Sequence, residues 1–254
     1  MTPAPLPANR PLIAWYGDDF TGAAAVMETL AFAGLPAVLF LDIPTPEQIR
    51  AFADCRAFGI AGIARAKSPA WMEHALPPIF HALARFDAAI AQYKVCSTFD
   101  SSPAIGSIGR AATLAAPILG GAWTPLLVAS PAVGRYQAFG NLFARAGDSI
   151  HRLDRHPTMR RHPVTPMTES DVRLHLAQQT SAPISLVDLV AMKAGRGDAA
   201  LAAALAAGAA IIALDVIDTE TLREAGRLIW SHRGQRLFAI GSQGLEEALI
   251  AHWR

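Results

Sequence analysis

Two adjacent aspartates are the first residues in this sequence that can do chemistry. They lie in Gly17-Asp18-Asp19-Phe20-Thr21-Gly22-Ala23, between the apolar run 12–16 and a helix-rich stretch, 21–32. Open α/β sheets bind ligands at the carboxyl ends of their strands, and paired carboxylates there need cations or hydroxyls to meet them. Gly22 lets a ligand approach the backbone, and a helix N-terminus favours an anionic group. Without any ligand, Asp19 would serve simply as a helix cap.

A second polar run, Lys94-Val-Cys-Ser97-Thr98-Phe-Asp100-Ser101-Ser102-Pro103, also follows a strand-like segment. Its density of hydroxyls, with one positive and one negative charge, suits a polyol or sugar acid, which demands many directional polar contacts. A serine-rich turn with no ligand would look the same. Gly106-Ser107-Ile108-Gly109 then opens a helix and offers backbone N–H groups to an anion, a weak signal by itself. Farther on, Gly134-Arg135-Tyr136 and Gly140-Asn141 are turn-like and precede His151, Arg152, Arg155, His156, Arg160, Arg161 and His162. The histidine spacings match no helical metal pair, so no metal is expected. Arginine clusters bind carboxylates and phosphates, although most charge runs are solvated faces. Arg135 and His162 are the two residues singled out here.

Absent motifs narrow the chemistry. There is no G-x-x-x-x-G-K-[ST], no G-x-G-x-x-G and no G-x-S-x-G, so the P-loop, the dinucleotide fingerprint and the esterase elbow are all missing. Cys55 and Cys96 are too few for a disulfide framework and suggest a reducing, cytoplasmic setting.

The elements that must position these residues alternate. Apolar runs at 12–16, 37–41, 57–61, 94–98, 126–130, 184–187, 210–214 and 236–240 read as strands. Segments 21–32, 46–53, 71–92, 105–118, 169–179, 198–207, 219–232 and a last one from 245 read as helices. Pro77 and Pro78 should kink or restart the third helix, and Thr168 should cap the fifth. Continuous apolar strands separated by helices predict an α/β fold: parallel, Rossmann-like sheets flanked by helices, here in two α/β lobes, the second series forming its own sheet. Residues 131–166 break the pattern and read as a long functional loop.

Composition agrees with a folded domain. The 254 residues are 52% apolar and 17% charged, with a formal net charge of +1. That balance gives no electrostatic reason to expect a nucleic-acid or membrane partner. Residues 1–10 are proline-rich, lack the apolar core of a signal peptide and read as a flexible tail. The most apolar run, 199–214, is too short to span a membrane.

Taken together, GDDFTGA, KVCSTFDSSP followed by IGSIGRA, PAVGRYQAFGNLFA and RHPVTPMTESD resemble the sugar-binding N-terminal domain of the four-carbon acid sugar kinases, formerly a domain of unknown function. The resemblance runs from about Leu12 to the terminal GSQGLEEAL. It implies that residues 1–254 form the sugar-acid-binding part of a kinase. Such kinases use ATP and Mg2+ to phosphorylate the C4 hydroxyl of threonate, erythronate or 3-oxo-tetronate.

The resemblance also implies substrate contacts at Asp18, Thr21, Gly22, Lys94, Ser97, Thr98, Ser101, Ser102, Gly134, Arg135 and His162. Lys94 or Arg135 would hold the carboxylate, the hydroxyl residues would read the substrate hydroxyls, and Asp19 or Asp100 would accept the proton. Two positions depart from the family pattern: Ser107 replaces an asparagine, and Gln243 replaces a serine in the turn Gly241–Gly244. Ser242 and Gly244 are the nucleotide contacts the resemblance carries over. Most of the ATP site is expected in a C-terminal domain absent from this chain, either encoded separately or lost. The alternative is a stand-alone sugar-acid-binding domain or remnant without turnover. Self-association into a homo-oligomer is expected if an apolar face is left exposed at the chain's end.

Overall fold

The computed structural model describes residue 6 and residues 10–254. The tail expected over 1–10 therefore lies, apart from Leu6 and Arg10, outside the described residues. The strands are β1 (Ile13–Gly17), β2 (Ala37–Phe40), β3 (Ala57–Ala61), β4 (Ile90–Lys94), β5 (Thr124–Leu127), β6 (Arg135–Ala138), β7 (Asn141–Ala146), β8 (Ser149–Arg152), β9 (Ile184–Val187), β10 (Ile211–Leu214) and β11 (Leu237–Gly241). The helices are α1 (Phe20–Phe32), α2 (Pro46–Ala51), α3 (Pro69–Arg85), α4 (Ile108–Leu119), α5 (Val172–Ala177), α6 (Leu189–Lys193), α7 (Gly197–Ala206), α8 (Thr219–Ser231) and α9 (Gly244–Trp253).

Eight strands form one parallel sheet in the order β2-β3-β1-β4-β11-β5-β10-β9. The α/β class and parallel sheet match the sequence reading, but the two βα series do not form separate sheets. The last strand, β11, inserts between β4 and β5 and joins them. All five of its residues are buried, so Leu237–Gly241 needs neighbours on both edges as well as both faces. Helices cover the two faces. Val26 and Leu30 of α1, Leu201 of α7, Leu228 of α8 and Leu245 of α9 belong to one apolar cluster. Leu76 and Phe80 of α3, Ile108 of α4 and Leu176 of α5 belong to the other.

Several boundaries differ from the sequence reading. The helix read over 71–92 ends at Arg85, Asp87 turns the chain at φ 50°, and β4 begins at Ile90 rather than at 94. The requirement for a central strand between β1 and β11 outweighs the helical composition there. Thr168 does not cap α5. Asp171 does, because Ser170 is drawn into pairing with β7 through Leu142 N to Ser170 O. The supposed long loop is also structured: β6, β7 and β8 form an antiparallel sheet. In β7, Leu142 and Ala144 are buried while their neighbours are not, a period of two too short to stand out in the sequence. Gln137 and Asp215 fasten this hairpin sheet to the end of β10.

Candidate functional site

Connections leave β1 and β4 in opposite directions: β1 leads through α1 toward β2, and β4 leads through α4 toward β5. Because β1 and β4 are neighbours, a crevice opens between their carboxyl ends, the position where doubly wound sheets bind ligands. Register brings Ala61, Gly17, Lys94 and Gly241 into line along that edge. Asp18 N donates to Lys94 O at 3.0 Å, closing the gap at the strand ends.

Both aspartates meet one cation, Arg65, from the short 3-10 turn Ala64–Ala66 after β3. Its Nη2 lies 2.5 Å from Asp18 Oδ1 and 2.6 Å from Asp19 Oδ1, and its Nε donates to Asp18 Oδ2 at 3.2 Å. Asp19 Oδ1 also accepts from Gly22 N at 3.0 Å and so caps α1. The capping role and a ligand role therefore coexist on one side chain. Gly106, at φ 63°, allows Arg65 to sit where it does. A Cβ there would fall 2.5 Å from the Arg65 carbonyl oxygen.

Asp18 is buried, and desolvation pushes its carboxyl up to about 6 despite the attraction of Arg65 and Lys94. For Arg65, burial works against the charge, but Asp18 more than offsets it and raises the guanidinium above its ordinary range. Lys94 is only 2% exposed, and its ammonium donates to Val95 O at 2.8 Å. Burial lowers its pKa, while Asp18, Cys96 and Glu246 act in the opposite direction. Gly22 packs directly on this charge cluster. A Cβ at that position would lie 2.4 Å from Asp19 Oδ1 and 2.8 Å from Lys94 Nζ.

Above the cluster is a cleft of about 370 Å³ lined by Asp18, Asp19, Arg65, Asp100 and His162, with Phe20, Ile63 and Val164 among its apolar walls. Asp100 arrives from the turn after β4 and accepts from Thr98 Oγ1 at 2.7 Å, and Thr98 in turn contacts Cys96 Sγ. His162 Nδ1 accepts from Thr165 N at 3.0 Å, which leaves Nε2 as the ring position free to carry a proton toward a ligand. Charged groups at the floor with carbon walls are what a small, highly oxygenated anion requires.

The remaining residues singled out in the sequence are placed differently. Ser101 is buried, donating to Phe99 O and contacting His175 Nε2 and Gln179 Nε2, each at 2.9 Å. Ser102 closes its own turn with Ile105. Ser97 is half-buried on the same loop, and Thr21 is exposed on α1; neither lines the cleft. Gly134, at φ 70°, and Arg135 begin the hairpin sheet away from the cleft, and Arg135 Nη1 bonds to the carbonyls of Val133 and Gly134.

Ser242 and Gly244 are engaged within the fold. Ser242 is buried, donates to Val128 O and accepts from Gly244 N, and a Cβ at Gly244 would meet Ala129 O at 1.8 Å. No group of three or more His, Cys, Asp or Glu is placed to hold a metal ion among the described residues. Nor is any helix among them long and apolar enough to cross a membrane.

Sequence reasoning missed Arg65 altogether. A signal for it existed. Paired carboxylates demand a cation, and Arg65 stands four residues beyond a strand that pairs with β1. Lys94 and Arg135 drew attention instead because they lie within recognised motifs.

Comparison with known proteins supports a shared architecture. The model of a family described as a sugar-binding N-terminal domain matches residues 13–249. The chain is 50% identical over 243 residues to a 3-oxo-isoapionate kinase of Paraburkholderia graminis, covering 96% of this chain and 52% of that protein. It is 33% identical to a 3-oxo-tetronate kinase of Pectobacterium atrosepticum, covering 93% of this chain and 53% of that protein. A solved structure from Salmonella typhimurium LT2 superposes with a TM-score of 0.83 at 26% identity, over 96% of this chain and 56% of that one. The chain thus spans about half the length of the curated relatives it matches.

Proposed function

The chain belongs to the family of the sugar-binding N-terminal domain, and from that premise we propose that its cleft binds a small sugar acid as the acceptor half of an ATP-dependent kinase. The acceptor class is a small sugar acid: a four-carbon acid such as threonate, erythronate or 3-oxo-tetronate, phosphorylated at the C4 hydroxyl, or, by the likeness to the Paraburkholderia graminis enzyme, the branched five-carbon 3-oxo-isoapionate. The observation that carries the reading is the Asp18–Arg65–Asp19 cluster at the floor of a carbon-walled cleft.

Each residue has a task in this scheme. Arg65 uses Nε and Nη2 on the aspartates, and Nη1 is the group we assign to the substrate carboxylate. Lys94 contributes positive charge from beneath. His162 and Asp100, both on the cleft wall, mark the two sides from which hydroxyls are read, with Thr98 holding Asp100 in place. Asp19 is the proton acceptor for the C4 hydroxyl: Oδ1 is fixed by Gly22 and Arg65, while the side chain keeps 29% exposure toward the cleft. Holding that hydroxyl next to a fixed carboxylate supplies the positioning and charge control on which phosphoryl transfer depends. ATP with Mg2+ would supply the phosphoryl group. Since Ser242 and Gly244 are occupied within the fold, we assign the nucleotide site to a separate ATP-binding domain and route no step through these residues.

A thermal-shift and calorimetric screen of D-threonate, D-erythronate and 3-oxo-tetronate, with and without Mg-ATP, tests the proposal. A sugar acid that raises the melting temperature while Mg-ATP alone leaves it unchanged is the expected result. A cooperative melt unmoved by every acid would refute the reading.

A further inference from the structure

Below the cleft floor lies a carboxyl group that the scheme above does not use. Glu246 sits in the first turn of α9, is fully buried, and neither of its oxygens has a hydrogen-bond partner. Beside it is Gln92, two residues before Lys94 on β4 and so on the same face of the sheet. The Gln92 amide nitrogen donates both hydrogens, to Gly241 O at 3.2 Å and Ser242 O at 3.1 Å, which leaves Oε1 unpartnered. Turning the amide over would set its oxygen against two carbonyl oxygens, so this orientation is fixed. Two neighbouring buried groups are therefore both acceptors without donors. One proton on Glu246 removes the cost of an unpartnered charge buried at that point.

The charge count leads to the same place. Arg65 and Lys94 balance Asp18 and Asp19, and Asp100 adds a third carboxylate at the cleft wall. The other titratable groups facing the pair are Cys96 at the end of β4, whose thiol burial pushes up, and Glu247 on α9, which accepts from Ser130. An ionised Glu246 would add an unbalanced negative charge beneath a site proposed to receive an anion. Burial pushes its carboxyl up to about 8, even though its own backbone N–H, Lys94 and the Gln92 side chain favour the ionised form.

We propose that Glu246 is a positioning residue of the site: a neutral carboxylic acid that adds no further negative charge beneath Lys94 and so keeps the site open to an anionic sugar acid. The inference rests on the sugar-acid reading of the cleft. Entry of an anion strengthens the hold on that proton, so binding above pH 8 takes a proton up. Affinity should accordingly fall as pH rises past 8.

Calorimetry of the full chain with D-threonate and D-erythronate, at pH 7 and 8.5 in buffers of different ionisation heat, tests this. Wild type should take up roughly half a proton per ligand at pH 8.5 and bind severalfold more weakly than at pH 7, whereas Glu246→Gln shows neither effect. Binding without proton uptake would overturn the proposal and leave the sugar-acid reading intact. A second measurement needs no ligand. In denaturant titrations between pH 6.5 and 8, the folding constant of wild type should fall up to about tenfold more per pH unit than that of Glu246→Gln, because unfolding releases the Glu246 proton. Parallel curves would overturn the proposal whatever binds. If that difference is present and neither acid binds, the proton on Glu246 stands and the sugar-acid reading fails.

Discussion

Arg65 is joined to Asp18 twice, once through the backbone, with Arg65 N donating to Asp18 O at 2.9 Å, and once through the side chains at 2.5 Å. The double link ties the turn after β3 to the turn after β1. It fixes the guanidinium independently of any ligand, so the site is formed in advance and loses little side-chain freedom on binding.

Removing that guanidinium leaves a buried carboxyl without its partner. Arg65→Ala should lower stability by about 3 kcal/mol, or roughly 6–12 °C in melting temperature, and reduce sugar-acid affinity at least tenfold. Arg65→Lys keeps the charge but not the fork that serves both aspartates, and should recover stability more than affinity. Differential scanning calorimetry with a ligand titration reads both.

Asp19 and Asp100 should separate by readout. Asp19→Asn removes the proposed proton acceptor; in the complete kinase assembly, kcat should fall by about 10²-fold or more with a smaller change in KM. Asp100→Asn, which disturbs the Thr98 contact at the cleft wall, should act chiefly on KM. The opposite pattern would transfer the acceptor role to Asp100.

Gly22→Ala places a methyl group against Asp19 Oδ1 and Lys94 Nζ. Stability should drop by about 1–3 kcal/mol, and ligand binding should be lost even where the protein remains folded at assay temperature. Retained affinity would mean that the charge cluster can rearrange.

Asp18 should leave a mark on the pH dependence of stability. Its folded carboxyl is raised to about 6 by burial, from an ordinary value near 4. Between those values the folded state holds more of this proton than the unfolded state. The group's contribution is complete below pH 4 and is lost as pH rises through 6, at up to about 1.4 kcal/mol per unit. Asp18→Asn should therefore give a flatter stability curve than wild type between pH 4 and 6, measurable by urea unfolding at each pH.

Asp215 anchors the hairpin sheet by accepting from the backbone N–H groups of Phe139, Gly140 and Leu189. An amide cannot satisfy all three together with Gln137. Asp215→Asn should cost about 2–4 kcal/mol and speed hydrogen exchange at Phe139 and Gly140 before the central strands are affected.

Local sequence determined a good deal. The apolar runs at β1, β3 and β10 allow no solvent-facing side, and the helices between them leave few options beyond a covered parallel sheet. The motif around Asp18 and Asp19 marked one end of that sheet as chemical, because adjacent carboxylates at a strand terminus are costly without a purpose. What sequence could not determine is which distant residues meet there. Arg65, Asp100 and His162 come from three separate turns, and they share a cleft only because parallel register aligns the ends of β3, β1 and β4 and the turn at 162–165 comes up against them. Arg135, in an equally suggestive motif, is carried away from the cleft by the same geometry. The merging of two apparent lobes has a similar cause: β11 is the last strand in the chain, and only burial on both edges places it at the centre. Nothing in the sequence sets Glu246 apart from Glu247 beside it. The burial of Glu246 beneath Lys94, and hence its proton, comes from the packing of α9 against the sheet.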